Sequence, residues 1–268
     1  MSKDINLRTT FNSQALLYHE IRPRYPQALF DTLIRVTNLQ NNAHLLEIGP
    51  GTGQATEPLA KRGYHITAIE LGAELAAVAR DVLKKYTNVE VITAAFEEVK
   101  FTPASFDLVY AATAFHWITP ETRFAKPHRL LKPNGHLAII HTNHVSDEAG
   151  DKFFFASQPL YEKYELDDLD NEFRLPRAAD LTADALDENL FTGIFYQAFP
   201  LTVCYTSTEY AQLLSTYSPT ISMPPEMRLG FLGDIAQLID TQFGGSILKH
   251  FAMTLMIAKK RFQPNRRM

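Results

Sequence analysis

The sequence predicts an α/β fold, with short strands alternating with helices and assembling into a mostly parallel sheet covered by helices on both faces. Three observations carry that expectation. Short apolar runs recur between longer segments of helical periodicity. Three glycines at alternating positions, Gly49, Gly51 and Gly53, follow the first of these runs. No apolar run approaches a membrane span, and 268 residues, 46% of them hydrophobic, suffice for a large core.

From Phe11 to Val36 two helical patterns are separated by "IRPRYP", where Pro23 and Pro26 force a break. His44 to Ile48 is a strand that ends at the glycines. Thr52 to Lys61 is expected as helix, His65 to Ile69 as strand, and Ala73 to Lys85 as helix with Leu75, Val78, Ala79, Val82 and Leu83 on one face. Val89 to Thr93 and Phe106 to Ala111 are strands, Glu121 to Leu131 is helix, and Gly135 to His141 is a strand after a "KPNG" turn. Such alternation implies βαβ units with right-handed crossovers. Between Asn143 and Gly193 strand character disappears, and the segment reads as a mainly helical insertion. Strands return at Ile194 to Tyr205 and Ile247 to Ala258, with helices at Thr208 to Leu214 and Pro225 to Thr241 between them.

Composition narrows the function. A single cysteine, Cys204, excludes an intramolecular disulfide framework, and a reducing, cytoplasmic setting is expected. The N-terminus lacks the pattern of a secretory signal. A formal charge of −4 does not favour a polyanionic partner, although Lys259 to Arg267 forms a local basic stretch. Four histidines, His128, His136, His141 and His144, lack metal-ligand spacing, so no metal is expected. Oligomeric state leaves no mark in the sequence.

The loop after the first strand invites a nucleotide, because ligands of doubly wound sheets bind at the carboxyl ends of strands near the switch point. A dinucleotide fingerprint begun at Gly49 needs a glycine where Gln54 stands, and begun at Gly51 it needs one where Thr56 stands. A phosphate loop needs a Gly-Lys-Ser/Thr that is absent. Glu70, 21 positions past Gly49, is placed to accept hydrogen bonds from the hydroxyls of a ribose. Glycine loop and ribose acid without phosphate machinery point to an adenosine attached to an amino acid.

At this point "LLEIGPGTGQAT" resembles motif I of class I S-adenosylmethionine-dependent methyltransferases, with the motif II acid at Glu70 in "ITAIELGAEL". "VITAAFEEVKF", "SFDLVYAATAFHWI" and "HRLLKPNGHLAII" resemble the family's later landmarks, in the family's order. The resemblance implies a Rossmann-like class I methyltransferase fold with seven strands in the order 3-2-1-4-5-7-6, the last antiparallel, and a mainly helical insertion after the fifth strand. It implies a single domain over residues 1–268, comprising an N-terminal helical cap (1–38), a cofactor-binding core (39–142), a helical substrate cap (143–193) and a C-terminal part of the sheet (194–268).

The resemblance also assigns S-adenosylmethionine as cofactor and a set of residues around it. Gly49, Gly51 and Gly53 form the loop, Glu47 supports the methionine ammonium region directly or through water or else is a structural hydrogen-bond acceptor, Glu70 and Leu71 lie at the ribose, and Ala112 ends the fourth strand. Ala95 and Phe96 stand at the adenine loop, where many relatives carry an acid at the position of Ala95. Phe96 offers ring contact and a backbone N–H, or is an ordinary core aromatic. Tyr18, Arg22 and Tyr25, in "YHEIRPRYP", either hold the methionine carboxylate or simply cap the sheet. His116 is a candidate general base and Trp117 a candidate substrate contact, or both simply pack their loop against the next helix, since an in-line methyl transfer needs no base; His141 and His144 are candidate substrate contacts. The expected activity is methyl transfer to a small molecule. RNA or protein methylation, and a non-catalytic cofactor-binding regulator, are the alternatives.

Overall fold

A computed structural model describes residues 14–146, 151–166 and 175–262. The chain runs α1 (Ala15–Ile21), α2 (Gln27–Thr37), β1 (His44–Ile48), α3 (Thr56–Ala60), β2 (His65–Glu70), α4 (Ala73–Leu83), β3 (Val89–Thr93) and β4 (Phe106–Ala112). It continues through α5 (Pro120–Arg123), α6 (Ala125–Leu130), β5 (Leu131–His144), α7 (Lys152–Lys163), β6 (Phe191–Thr206), α8 (Ser207–Ser215), α9 (Ser218–Ile221), α10 (Pro225–Gln242) and β7 (Ser246–Lys260). The seven strands form one sheet in the order β3-β2-β1-β4-β5-β7-β6, as the resemblance implied. The pairings joining β3, β2, β1, β4 and β5 are parallel. The chain adds β2 and β3 on one side of β1 and then crosses to β4, so the sheet reverses its winding direction at β1, the switch point where such folds place ligands.

Three of the departures from the sequence reading have a local reason. The first crossover helix begins at Thr56 rather than Thr52, because Gly49, Gly51 and Gly53 all have positive φ and the first helical bond is Glu57 N–H to Gly53 O. The helix expected from Glu121 to Leu131 is two short helices parted at Phe124. Pro127 has no N–H to offer the Arg123 carbonyl, so the ladder fails there. The "KPNG" turn does not precede β5 but lies inside it. Phe106 pairs with Leu131 and Leu108 with His136, and the extra residues loop out through Asn134 at φ 66°.

By its internal contacts the chain divides into two compact units, each assembled from three stretches. One comprises Arg24–Thr142, Thr182–Phe199 and Met253–Met268. Its core packs Leu46, Ile48, Val109, Leu137 and Ile139 from the central strands with Phe96, Phe115, Phe191 and Met256. The other comprises Met1–Pro23, Asn143–Leu181 and Pro200–Ala252. There Phe231, Ile235 and Ile239 of α10 pack with Leu213 and Leu214 of α8, Phe153 of α7 and Phe251 of β7. No helix among the described residues is long and apolar enough to cross a membrane.

Candidate active site

The glycine loop closes the carboxyl end of β1. Gly49 has φ +65°, and a Cβ added there would lie 2.6 Å from the Ala114 Cβ, so only a bare backbone lets the loop approach the segment after β4. Gly53 has φ +87°, and a Cβ there would meet Leu83 at 2.9 Å. The loop is bonded into place by Gly49 N–H to Ile69 O and Gly53 N–H to Pro50 O, both 2.9 Å. Positive φ at all three glycines is the reason the sequence needs glycine at each.

Glu70 is the last residue of β2 and is 6% exposed. Its two carboxylate oxygens accept from Gly51 N–H and Gly72 N–H, each at 2.8 Å, which clamps the acid to the glycine loop. Leu71 follows it, half-buried. Glu47, fully buried within β1, accepts from Thr56 Oγ1 at 2.6 Å and from the Tyr110 hydroxyl at 2.7 Å through the same oxygen. Its other oxygen is buried with no hydrogen-bond partner among the described residues. Burial pushes the Glu47 pKa up to about 7, against the two hydrogen bonds and with help from the Glu70 charge.

After β3 the chain passes through Ala95 and Phe96. The Phe96 ring is 3% exposed and belongs to the core, so its backbone and not its ring is what the loop can offer a ligand. That loop is held by Lys126 of α6, a residue the sequence reading passed over. The buried Lys126 ammonium donates to the carbonyls of Phe96, Glu97 (3.1 Å) and Val99 (2.6 Å). Burial lowers its pKa, with a further push from Arg129, while Glu97 opposes both. A lone lysine on an apolar helix face is the only sequence signal for this role.

Beyond Ala112, at the end of β4, Thr113 takes φ 56°, a left-handed value strained for a β-branched residue. Its hydroxyl lies 3.1 Å from the Tyr25 hydroxyl and 3.2 Å from Thr142 Oγ1. Tyr25 thus reaches the loop that packs on Gly49. The next residues form a 3-10 turn, Phe115–Trp117, which carries His116 against Trp117 at 4.9 Å and His141 at 6.3 Å between ring centroids. His141 Nε2 lies 2.6 Å from Asp184 Oδ2. Asp184, 43 residues distant, left no signal in the sequence. In the neutral imidazole, a carboxylate facing Nε2 selects the tautomer that donates from Nε2 and leaves Nδ1 as the acceptor nitrogen.

Tyr18, Arg22 and His144 belong to the other unit. Arg22 donates to Thr216, and His144 Nε2 lies 3.0 Å from the Tyr217 hydroxyl. The structure therefore brings Tyr25, Glu47, the three glycines, Glu70, Leu71, Ala95, Phe96, Ala112, His116, Trp117 and His141 into one unit and gathers Tyr18, Arg22 and His144 in the second. Among the described residues no cluster of three or more His, Cys, Asp or Glu side chains is arranged to hold a metal.

A glycine loop that admits close backbone approach, with an acid clamped beside it, fits an adenosine-bearing cofactor. Comparison with known proteins agrees. Residues 46–139 match the methyltransferase domain family. The chain is 27% identical over 230 residues to the uncharacterized methyltransferase-like C25B8.10 of Schizosaccharomyces pombe, covering 84% of each chain. It is 30% identical over 138 residues to the uncharacterized methyltransferase Mb3374 of Mycobacterium bovis, a match spanning 52% of this chain and 53% of that one. The fold is shared with phosphoethanolamine N-methyltransferase 2 of Haemonchus contortus, solved with phosphomonomethylethanolamine and S-adenosylhomocysteine, at a TM-score of 0.54 and 16% identity over 97% of this chain and 61% of that one. The chain is a class I S-adenosylmethionine-dependent methyltransferase, with residues 46–139 as its family domain.

Proposed function

We propose that this enzyme methylates a small-molecule acceptor at an oxygen or nitrogen atom. The observation that carries the reading is the His141–Asp184 pair, set beside His116 in the unit that holds the glycine loop. Bound S-adenosylmethionine supplies an activated methyl group on a sulfonium. The chain's own residues then have separate tasks. Gly49, Gly51 and Gly53 give the cofactor access to backbone, and Glu70, fixed by Gly51 and Gly72, accepts from ribose hydroxyls. Leu71, Ala112 and the backbone of Ala95 and Phe96 border the nucleoside, with Lys126 holding the adenine loop in shape. Glu47 and Tyr25 lie toward the methionine end.

On the acceptor side, Asp184 holds His141 in the tautomer that leaves Nδ1 free to take a proton from an O–H or N–H nucleophile. His116 and Trp117 line the same edge. A net charge of −4 gives a phosphate backbone no bulk electrostatic attraction, which favours a small acceptor over RNA. A small molecule also appears with the Haemonchus contortus relative, which shares this fold. The single cysteine is consistent with a cytoplasmic setting.

Incubating the protein with methyl-labelled S-adenosylmethionine and a cell extract, then separating small molecules, RNA and protein, tests the reading. Label is expected in the small-molecule fraction, and label confined to RNA or protein overturns it. In parallel, Glu70→Ala is expected to weaken S-adenosylhomocysteine binding by roughly 10-fold or more, since charge-assisted hydrogen bonds are lost. An unchanged dissociation constant would remove Glu70 from the ribose.

A further inference from the structure

The 3-10 turn that carries His116 and Trp117 is three residues long and ends where Ile118 takes extended backbone, φ −73° and ψ 140°. A turn this short leaves its last carbonyls to find donors outside it. The amides that a continuing helix would bring to the His116 carbonyl are not on offer. Thr119 N–H is committed to Glu97 Oε1 at 3.3 Å, and Pro120 has no N–H. Arg123 supplies the donors instead. Its Nη2 donates to His116 O at 3.1 Å and to Ile118 O at 2.8 Å, and its Nε donates to Ile118 O at 3.2 Å. A guanidinium presents its N–H groups as a planar fork, so one side chain spans both carbonyls. Arg123 thus caps the turn from five to seven residues further along the chain.

The other attachments of the same segment lead to the cofactor loops. Ala114, just before the turn, is the residue against which Gly49 packs. Thr119, just after it, is bonded to Glu97 of the adenine loop. Phe115 and Ile118 share a core with Phe96. Three positions past Arg123, Lys126 donates to the carbonyls of Phe96, Glu97 and Val99. Two cations of one short segment therefore take different loops, Arg123 the turn with His116 and Trp117, Lys126 the adenine loop. All of these residues lie in the same compact unit, within its stretch Arg24–Thr142.

We propose that Arg123 is a positioning residue for methyl transfer, which by holding the carbonyls of His116 and Ile118 fixes the His116 and Trp117 side chains relative to the cofactor loops. The proposal rests on the reading of His116 and Trp117 as part of the acceptor edge. In an aligned displacement a misplacement of about 1 Å costs about 100-fold in rate, so a residue can govern turnover through the turn it holds. Trp117 is the single tryptophan of the chain, and its emission reports on that turn.

Trp117 emission and its quenching by acrylamide are measured on the S-adenosylhomocysteine-saturated full chain. Calorimetry gives the S-adenosylhomocysteine affinity, and saturating methyl-labelled S-adenosylmethionine with a cell extract gives the rate of transfer. Arg123→Gln is expected to shift the emission, increase the quenching and slow transfer roughly 10- to 100-fold, with S-adenosylhomocysteine affinity changed by no more than about 3-fold. Arg123→Lys keeps the charge without the fork, so it should lose less, and it carries the test should Arg123→Gln fold poorly. Lys126→Met should give the reverse pattern, with affinity lowered roughly 10-fold or more and transfer at saturating S-adenosylmethionine within about 3-fold of the unaltered protein. Unchanged transfer in both Arg123 variants, unchanged emission and quenching, or a loss of S-adenosylhomocysteine affinity equal to the loss of transfer overturns the proposal. The same pattern from Arg123→Gln and Lys126→Met also overturns it, since a segment with only a structural role moves both readouts together. Label entering RNA or protein alone defeats the small-molecule reading separately, and the effect of Arg123 is then read in that fraction.

Discussion

Tyr110 of β4 donates its hydroxyl hydrogen to Glu47, its register partner on β1, at 2.7 Å, and neither side chain is exposed. A carboxyl group in this position is desolvated faster than its two donors can compensate, which is why its pKa rises to about 7. Between the ordinary carboxylate range and pH 7 the folded protein therefore binds a proton that the unfolded chain has released. The resulting stability is present at the acidic end of this window and is lost as pH rises through the folded pKa. Denaturant unfolding at several pH values should show Glu47 contributing a fall of about 3 kcal/mol across the window, read as the difference between wild type and Glu47→Gln. A difference that does not vary with pH would show that Glu47 is ionised throughout.

The contact between Gly49 and Ala114 makes a second prediction. Gly49→Ala adds a Cβ 2.6 Å from the Ala114 Cβ and places it on a left-handed backbone, so destabilisation of about 2 to 4 kcal/mol is expected. The two costs are separable. Adding Ala114→Gly should recover the steric part and leave the backbone part, giving partial rescue in thermal or urea unfolding. Full additivity of the two substitutions would mean the loop relaxes away from Ala114.

A third concerns proton transfer. Asp184→Asn keeps the shape of the side chain but removes the charge that selects the His141 tautomer, while the glycine loop and Glu70 are untouched. Turnover with an identified acceptor should fall about 10- to 100-fold with the S-adenosylhomocysteine dissociation constant unchanged. The pH profile of turnover should lose its rising limb in His141→Ala. If His116→Ala removes that limb and His141→Ala does not, the proton goes to His116.

Much of the cofactor half was legible because its determinants are local. Strand β1 was read at its observed bounds, since a short apolar run between turn residues and three glycines has few other solutions. The length of α3 was not, because helical periodicity says nothing about the turns that left-handed glycines impose before it. The break at Phe124 was present in the sequence as Pro127 and was outweighed by the apolar pattern around it.

The chain by itself determined the order of strands and helices, the positions that must be glycine, and the acid at the end of β2, because each follows from neighbours within a few residues. Only tertiary structure decided which distant groups share an environment. His141 and His144, three positions apart on one strand, look alike in sequence, yet one is held by Asp184 and the other by Tyr217 beside Arg22 and Lys249. Phe96 was open between ligand and core until packing buried its ring, and Lys126 acquired its meaning only from three carbonyls about 30 residues earlier. Periodicity and turn chemistry act over a few residues along the chain. Charge, burial and hydrogen-bond partnership act over a few ångströms in space, and only folding converts one distance into the other.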